Sequence, residues 1–90
     1  MEITNGTTDK KCSWFCYNSN DVFKWIALAS GDLNTDGSYS YQPPNNATGL
    51  YFVRFTNEGG GTELAGGITK QSGQTITLEG SGGQYHAVVS

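Results

Sequence analysis

The chain has 90 residues, a net charge of −3 and only 14% charged residues. Soluble domains carry about 25% charged residues, so Asn, Ser, Thr, Gln and Gly must cover much of this surface. The acidic balance and the single basic pair, Lys10-Lys11, argue against nucleic-acid binding, which needs a basic surface. No apolar run approaches the ~18 residues that span a bilayer. The length predicts one small domain with a thin core.

The hydrophobic pattern predicts an all-β domain over residues 1–90. Apolar residues alternate or form short runs, and clusters of Gly, Asn, Ser and Asp interrupt them, which is typical of a sandwich or barrel. We therefore predict a small antiparallel β-sandwich of about seven to eight short strands. The predicted strands are Glu2–Asn5, Cys12–Tyr17, Asp21–Ala29, Ser38–Gln42, Leu50–Asn57, Thr62–Ala65, Gln74–Glu79 and Gln84–Val89.

Turn residues separate these strands. The segment Asn18–Asp21 is expected to turn through hydrogen bonds between its side chains and its backbone. Asp36-Gly37 supplies residues that tolerate positive φ, and is expected to form a tight hairpin. Pro43-Pro44 is expected to end a strand, because proline offers no amide donor.

Two predicted strands are apolar on both faces. Asp21–Ala29 also shows helical spacing, but its Val, Phe, Trp and Ile favour a strand. In Leu50–Asn57, Phe52 and Val53 point to opposite faces. An antiparallel sandwich strand usually buries one face only. These strands are therefore either central strands beneath a loop or parts of a subunit interface, and we slightly favour a homo-oligomer.

The cysteines and the histidine limit the chemistry available. Cys12 and Cys16 would lie roughly 13 Å apart in an extended strand, so we expect buried free thiols, which suit a reducing compartment. His86 lies in an apolar strand with no acid close to it in sequence, so we expect a structural histidine and predict that the chain is not an enzyme. Glycosylation sequons at Asn5 and Asn46 slightly favour a secreted or cell-surface protein over a cytoplasmic one.

Acidic residues are expected to gather at one end of the sandwich. If every connection reverses the chain direction, alternate loops fall at alternate ends, and the loops near 6–11, 30–37, 57–62 and 80–83 share one end. The acids in or beside them are Asp9, Asp32, Asp36, Glu58, Glu63 and Glu79. The other end has Asp21 and is otherwise rich in amides. Because like charges repel, such a gathering suggests a ligand that uses it.

Calcium is one candidate ligand. The segment 32–37 reads D-x-N-x-D-G, which resembles the beginning of an EF-hand loop. The candidate metal ligands are Asp32, Asn34 and Asp36. Pro43 occupies the twelfth position, where an EF-hand has a bidentate Glu, so an EF-hand is excluded. A looser calcium site completed by Glu58 or Glu79 is one hypothesis; the favoured alternative is that Asp and Asn serve as turn residues.

Carbohydrate is the second candidate ligand and the one that we favour. Sugars offer hydroxyls to Asp, Asn and backbone groups, and weakly apolar faces that stack on Tyr or Trp. Low surface charge suits a neutral ligand. The candidate ligand-binding residues are Asn34, Asp36, Tyr39, Glu58, Glu79 and Tyr85. We therefore predict a non-catalytic, lectin-like module that is multivalent through oligomerisation.

Two other functions are alternatives to sugar binding. A structural or adhesion module would bind protein through the strands that are apolar on both faces. A small membrane-active β-protein would use the exposed aromatic residues, but the sequence shows no basic face for anionic lipid.

Overall fold

The computed structural model describes residues 1–21, 24–70 and 73–90, which form two four-stranded sheets. The strands are β1 (Glu2–Asn5), β2 (Cys12–Asp21), β3 (Lys24–Leu33), β4 (Ser38–Ser40), β5 (Leu50–Asn57), β6 (Glu63–Thr69), β7 (Thr75–Ser81) and β8 (Gln84–Val89). The first sheet has the order β4-β1-β7-β8, and the second has the order β3-β2-β5-β6. The predicted all-β sandwich is confirmed. None of the described segments is a helix that could cross a membrane.

The predicted turn at Asn18–Asp21 is wrong, because β2 continues through it as a strand with irregular pairing to β3. The side-chain amide of Asn18 donates to the carbonyl oxygens of Thr48 at 2.9 Å and Leu50 at 3.0 Å. This amide therefore links β2 to the start of β5. The prediction had it bonding to the backbone of its own turn. Lys24–Leu33 is a strand, as favoured over a helix; Val22 and Phe23 lie outside the described residues.

The predicted hairpin at Asp36-Gly37 is also wrong, because β3 and β4 belong to different sheets. The segment is instead a turn in which the amide of Gly37 donates to the carbonyl of Asn34 at 2.9 Å. Asp36 has a φ of 60°, a conformation that Asp tolerates better than most residues. A two-residue hairpin turn is found instead at Gly82-Gly83, between β7 and β8 of the first sheet. Both glycines have positive φ, as a type I′ turn requires.

Strand direction sorts the loops to the two ends of the sandwich. Neighbouring strands run antiparallel, except that β1 and β7 run parallel. In each sheet, all odd-numbered strands therefore run in one direction and all even-numbered strands in the other. The side chain of Asn5 at the end of β1 bonds to the carbonyl of Leu33 at the end of β3, so the odd-numbered strands of both sheets end on the same side. Every connection therefore reverses the chain. The β1–β2 and β7–β8 loops meet at what we call the acidic end, where the carboxylate of Asp9 accepts a 3.0 Å bond from the amide of Gly82. The expected grouping of these loops is confirmed.

The core lies between the two sheets. Its fully buried members from the first sheet include Ile3, Ile76 and Leu78, and those from the second include Val53 and Phe55. Such residues alternate along their strands with partly exposed ones, as a strand with one buried face requires. The core is small, so single residues decide how closely the sheets approach.

Gly67 allows the two sheets to lie close together where β6 packs on the first sheet. A Cβ atom at Gly67 would lie 2.9 Å from the Cδ1 of Ile76 and 3.2 Å from the Cγ2 of Val89. Both distances are closer than side chains normally pack, so a methyl group here would push the side chains of Ile76 and Val89 aside.

The sequon at Asn5 has a structural role. Asn5 is fully buried, and its side-chain nitrogen donates to the carbonyl oxygens of Lys10 at 2.7 Å and Leu33 at 3.4 Å. Its side-chain oxygen accepts bonds from the backbone amide and the hydroxyl of Thr7. The nitrogen that a glycan would modify is thus engaged inside the fold, whereas Asn46 is exposed.

We expect Gly67→Ala to destabilise the protein by about 1–3 kcal/mol, because the added methyl group overpacks the core. Gly61→Ala is the matched control, since a Cβ there would meet nothing within 4 Å. Urea unfolding followed by circular dichroism measures both free energies of unfolding. Equal stabilities for the two variants would show that the sheets approach less closely than described.

The thiols of Cys12 and Cys16 are free and buried, as expected, and burial raises both of their pKa values to about 11. Because the thiolate is the nucleophile, we expect native protein to resist alkylation by iodoacetamide at mildly alkaline pH. Protein unfolded in urea should be labelled at both cysteines within the same time. Mass spectrometry counts the labels; rapid alkylation of native protein would contradict the buried positions.

Candidate functional site

A groove of about 290 Å³ opens on the side of the sandwich where the edge strands β3 and β4 meet. Its lining residues are Trp14, Ala29, Ser30, Gly31, Asp32, Tyr39 and Tyr41. They come from both sheets, so the groove is a consequence of how the two layers pack. Its volume is close to the lower limit of typical small-molecule sites, about 300 Å³.

Stacked aromatic rings form one wall of the groove. The ring of Trp14 stacks on that of Tyr39, with centroids 5.6 Å apart and planes 25° apart, and it contacts the ring of Tyr41 at 5.8 Å. Trp14 is 3% exposed, whereas Tyr39 is 50% exposed. The indole is therefore a buried support, and Tyr39 offers the accessible aromatic surface.

The position of Trp14 depends on a glycine opposite it. Trp14 and Gly31 are partners in the β2–β3 ladder, and a Cβ atom at residue 31 would lie 2.9 Å from the indole Nε1. A side chain at this position would displace the indole. Gly31 thus keeps the rings stacked and leaves its backbone open at the edge of the groove.

Tyr41 is fixed by the N-terminus. Its amide donates to the carbonyl of Met1 at 2.7 Å, and the terminal ammonium of Met1 donates to the carbonyl of Tyr41 at 2.8 Å. Burial raises the pKa of the Tyr41 phenol, and the neighbouring Cys16, Tyr51 and Tyr39 raise it further. The phenol therefore stays neutral at physiological pH.

Asp32 borders the groove through edge strand β3, and its carboxylate lies on the outer face of the second sheet, opposite the face of Trp14. The hydroxyl of Ser13, its ladder partner, donates to Oδ1 of Asp32 at 2.6 Å. The amide of Gly59 in turn donates to the Ser13 hydroxyl at 3.0 Å. Asp32 is solvent-exposed, so its carboxylate is both oriented and accessible to a ligand.

The structure distributes the predicted site residues over several places. Asp32 and Tyr39 both line the groove, and Asn34 and Asp36 lie in the turn that joins their strands. Glu58 is exposed in the β5–β6 connection. Among the described residues, no group of three or more His, Cys, Asp or Glu is placed to hold a metal ion.

Glu79 and Tyr85 lie on the β7–β8 hairpin of the first sheet and have other partners. The hydroxyl of Tyr85 donates to the Asp9 carboxylate at 3.1 Å. This carboxylate also accepts the Gly82 amide, the main reason that the pKa of Asp9 is lowered. Glu79 pairs with His86 at 3.6 Å, so the histidine has an acid across the hairpin that its sequence neighbours did not reveal.

Sequence reasoning named two of the seven lining residues of the groove, Asp32 and Tyr39, as site candidates and missed the other five, among them Trp14, Gly31 and Tyr41. Trp14 is buried, and its support of Tyr39 was not foreseen. Gly31 and Tyr41 carried no signal of their own, because their role depends on contacts between strands that are distant in sequence. Cys12, Trp14 and Cys16 alternate along β2, which could have predicted that the indole lies in the core. The pattern could not have identified Tyr39 and Tyr41 as the rings that pack on it.

A second cavity, of about 370 Å³, lies at the end opposite the acidic end. Its lining residues are Gln42, Pro43, Pro44, Asn45, Ala47, Thr48, Gly49, Tyr51 and Lys70. The aromatic ring among them, Tyr51, is buried, and its hydroxyl donates to the carbonyl of Ala47. This cavity therefore offers amides and a lysine but little aromatic surface.

Comparisons of the chain with protein-family models, with curated proteins and with solved structures give no match. The function is therefore inferred from the groove and the surfaces of the molecule alone.

Proposed function

We propose that the protein is a non-catalytic carbohydrate-binding module whose site is the groove between β3 and β4. The observation that carries the proposal is the half-exposed ring of Tyr39, supported from below by Trp14 and placed in one groove with the backbone of the edge strand β3. An edge strand presents unpaired amide and carbonyl groups, which can bond to sugar hydroxyls. A sugar ring needs both partners: an aromatic surface for its C–H face and acceptors for its hydroxyls.

The support beneath Tyr39 favours binding. A ring already stacked on a buried indole loses little conformational freedom when a ligand packs on it, so less binding free energy is spent on ordering. Ser30 and the backbone of Gly31 complete the polar lining and can accept or donate further hydrogen bonds to hydroxyls.

The groove favours binding over hydrolysis. Hydrolysis of a glycoside usually needs two carboxyl groups on either side of the scissile bond. The lining residues include one, Asp32. A shallow site of this size is expected to bind weakly, so several copies acting together would increase the affinity for a surface that carries many sugars.

We expect the protein to bind a subset of neutral glycans on an array, and Tyr39→Ala to reduce that binding about tenfold or more, which corresponds to about 1.4 kcal/mol. Asp32→Asn, which keeps the shape of the side chain, should weaken binding less than Tyr39→Ala, because the Asp32 carboxylate bonds to Ser13 on the outer face of the second sheet. Tyr85→Ala is the matched control, since this tyrosine lies on β8, at the opposite edge of the first sheet from β4.

The array is repeated in EDTA, and thermal unfolding confirms that each variant is folded. Loss of binding in EDTA would show that the site also needs a calcium ion, held by residues such as Asp32, Asn34 and Asp36. Absence of binding to a broad array, or equal binding by Tyr39→Ala and the unmodified protein, would contradict sugar recognition by this groove.

A further inference from the structure

The second sheet exposes large apolar side chains at the end opposite the acidic end. The residues are Trp25 and Ile26 at the start of β3, Leu50 at the start of β5 and Ile68 near the end of β6. Their exposed fractions range from 36% to 52%. The strand directions bring these three strand ends to the same end of the sheet, which we call the apolar end. Trp25, Leu50 and Ile68 lie on the outer face of the sheet, whereas Ile26 lies on the other face, with its ladder partner Asn18. Exposed apolar surfaces of this kind mark interaction sites.

Aromatic contacts extend the apolar end along the outer face of the sheet. The ring of Trp25 lies 5.9 Å from that of Phe52, although β2 separates their strands. Neighbouring strands are about 4.8 Å apart, so the indole must reach across β2. Phe52 in turn stacks with Tyr17 at 6.0 Å. The three rings form a continuous surface of which Trp25 is the most exposed part.

Three of the five basic residues surround this surface. Lys24 directly precedes Trp25, Lys70 follows the last residue of β6, and both are exposed. The guanidinium of Arg54 lies 4.9 Å from the centre of the Phe15 ring and 3.5 Å from the hydroxyl of Tyr17. These cations are 30 and 16 residues apart along the chain, and only folding brings them to one side of the molecule.

The acids of the same sheet lie mostly at its other end. Asp32, Glu58 and Glu63 belong to the acidic end, whereas Asp21 is the ladder partner of Lys24. The sheet therefore has an apolar, net basic end and an acidic end. A negatively charged partner is attracted to the first and repelled by the second, so its charge also sets its orientation.

We propose that the apolar end binds peripherally to membranes with anionic headgroups. Trp is enriched at membrane interfaces, where its amphipathic ring lies at the level of the headgroups. Leu50 and Ile68, on the same face as Trp25, would enter the boundary with the acyl chains, and Lys24 and Lys70 would contact the headgroups. A second copy docked patch to patch is disfavoured, because it would bring the cations of both copies together.

Binding is measured by co-sedimentation with vesicles of phosphatidylcholine alone and of phosphatidylcholine with phosphatidylserine. We expect binding to the anionic vesicles, weakened by salt, with a blue shift in tryptophan fluorescence. Each lysine near an anionic surface contributes about 1 kcal/mol, or about fivefold in affinity, so Lys24→Glu and Lys70→Glu should each reduce binding by at least that factor. Trp25→Ser should reduce it and abolish the blue shift.

Two variants serve as matched controls. Lys11→Glu removes an exposed lysine at the acidic end, and Val88→Ser removes an exposed apolar residue from the first sheet. Both should bind the vesicles as the unmodified protein does. Failure to bind either vesicle type, equal losses in controls and test variants, or self-association that depends on Trp25 without vesicle binding would each overturn the proposal. The glycan array tests a different surface, so the two outcomes are independent.

Discussion

The packing of Trp14 at the open side of the sandwich is the contact on which the rest of the structure depends. On one side, Gly67 lets the two sheets approach closely. On the other, edge strands β3 and β4 leave a gap, which the indole fills between Gly31 and the rings of Tyr39 and Tyr41. Among the described residues, no further strand covers this side. An aromatic groove is therefore a direct result of closing a small core with a large side chain.

Reversal of the chain at every connection has the second large effect, because it sorts charge between the two ends. Acids collect where β1–β2, β3–β4, β5–β6 and β7–β8 connect, whereas Lys24 and Lys70 lie at the opposite end with Trp25. The two proposed surfaces follow from these two constraints separately. The groove depends on how the layers pack, and the apolar end depends on strand direction.

The sequence predicts local features well and contacts between distant strands poorly. The bounds of β1, β5 and β8 are those predicted from the hydrophobic pattern. The end of the sandwich at which each loop lies follows from the reversal of chain direction at every connection. The turn at Asn18 was wrong because its amide found partners in another segment, and the hairpin at Asp36 was wrong because β4 joins the other sheet. Asp32 and Tyr39 were recognised as candidates, but no pattern in the sequence reveals that Trp14 supports the tyrosine.

The most direct test of the account is an amide NMR spectrum of isotopically labelled protein titrated separately with individual neutral monosaccharides. The central claim is that sugar binds between β3 and β4. We expect the shifts to concentrate on the amides of Gly31, Asp32 and Tyr39 and on the indole resonance of Trp14, while the indole resonance of Trp25 stays fixed. Shifts confined to Glu79 and Tyr85 on the β7–β8 hairpin, or to Trp25, would contradict it.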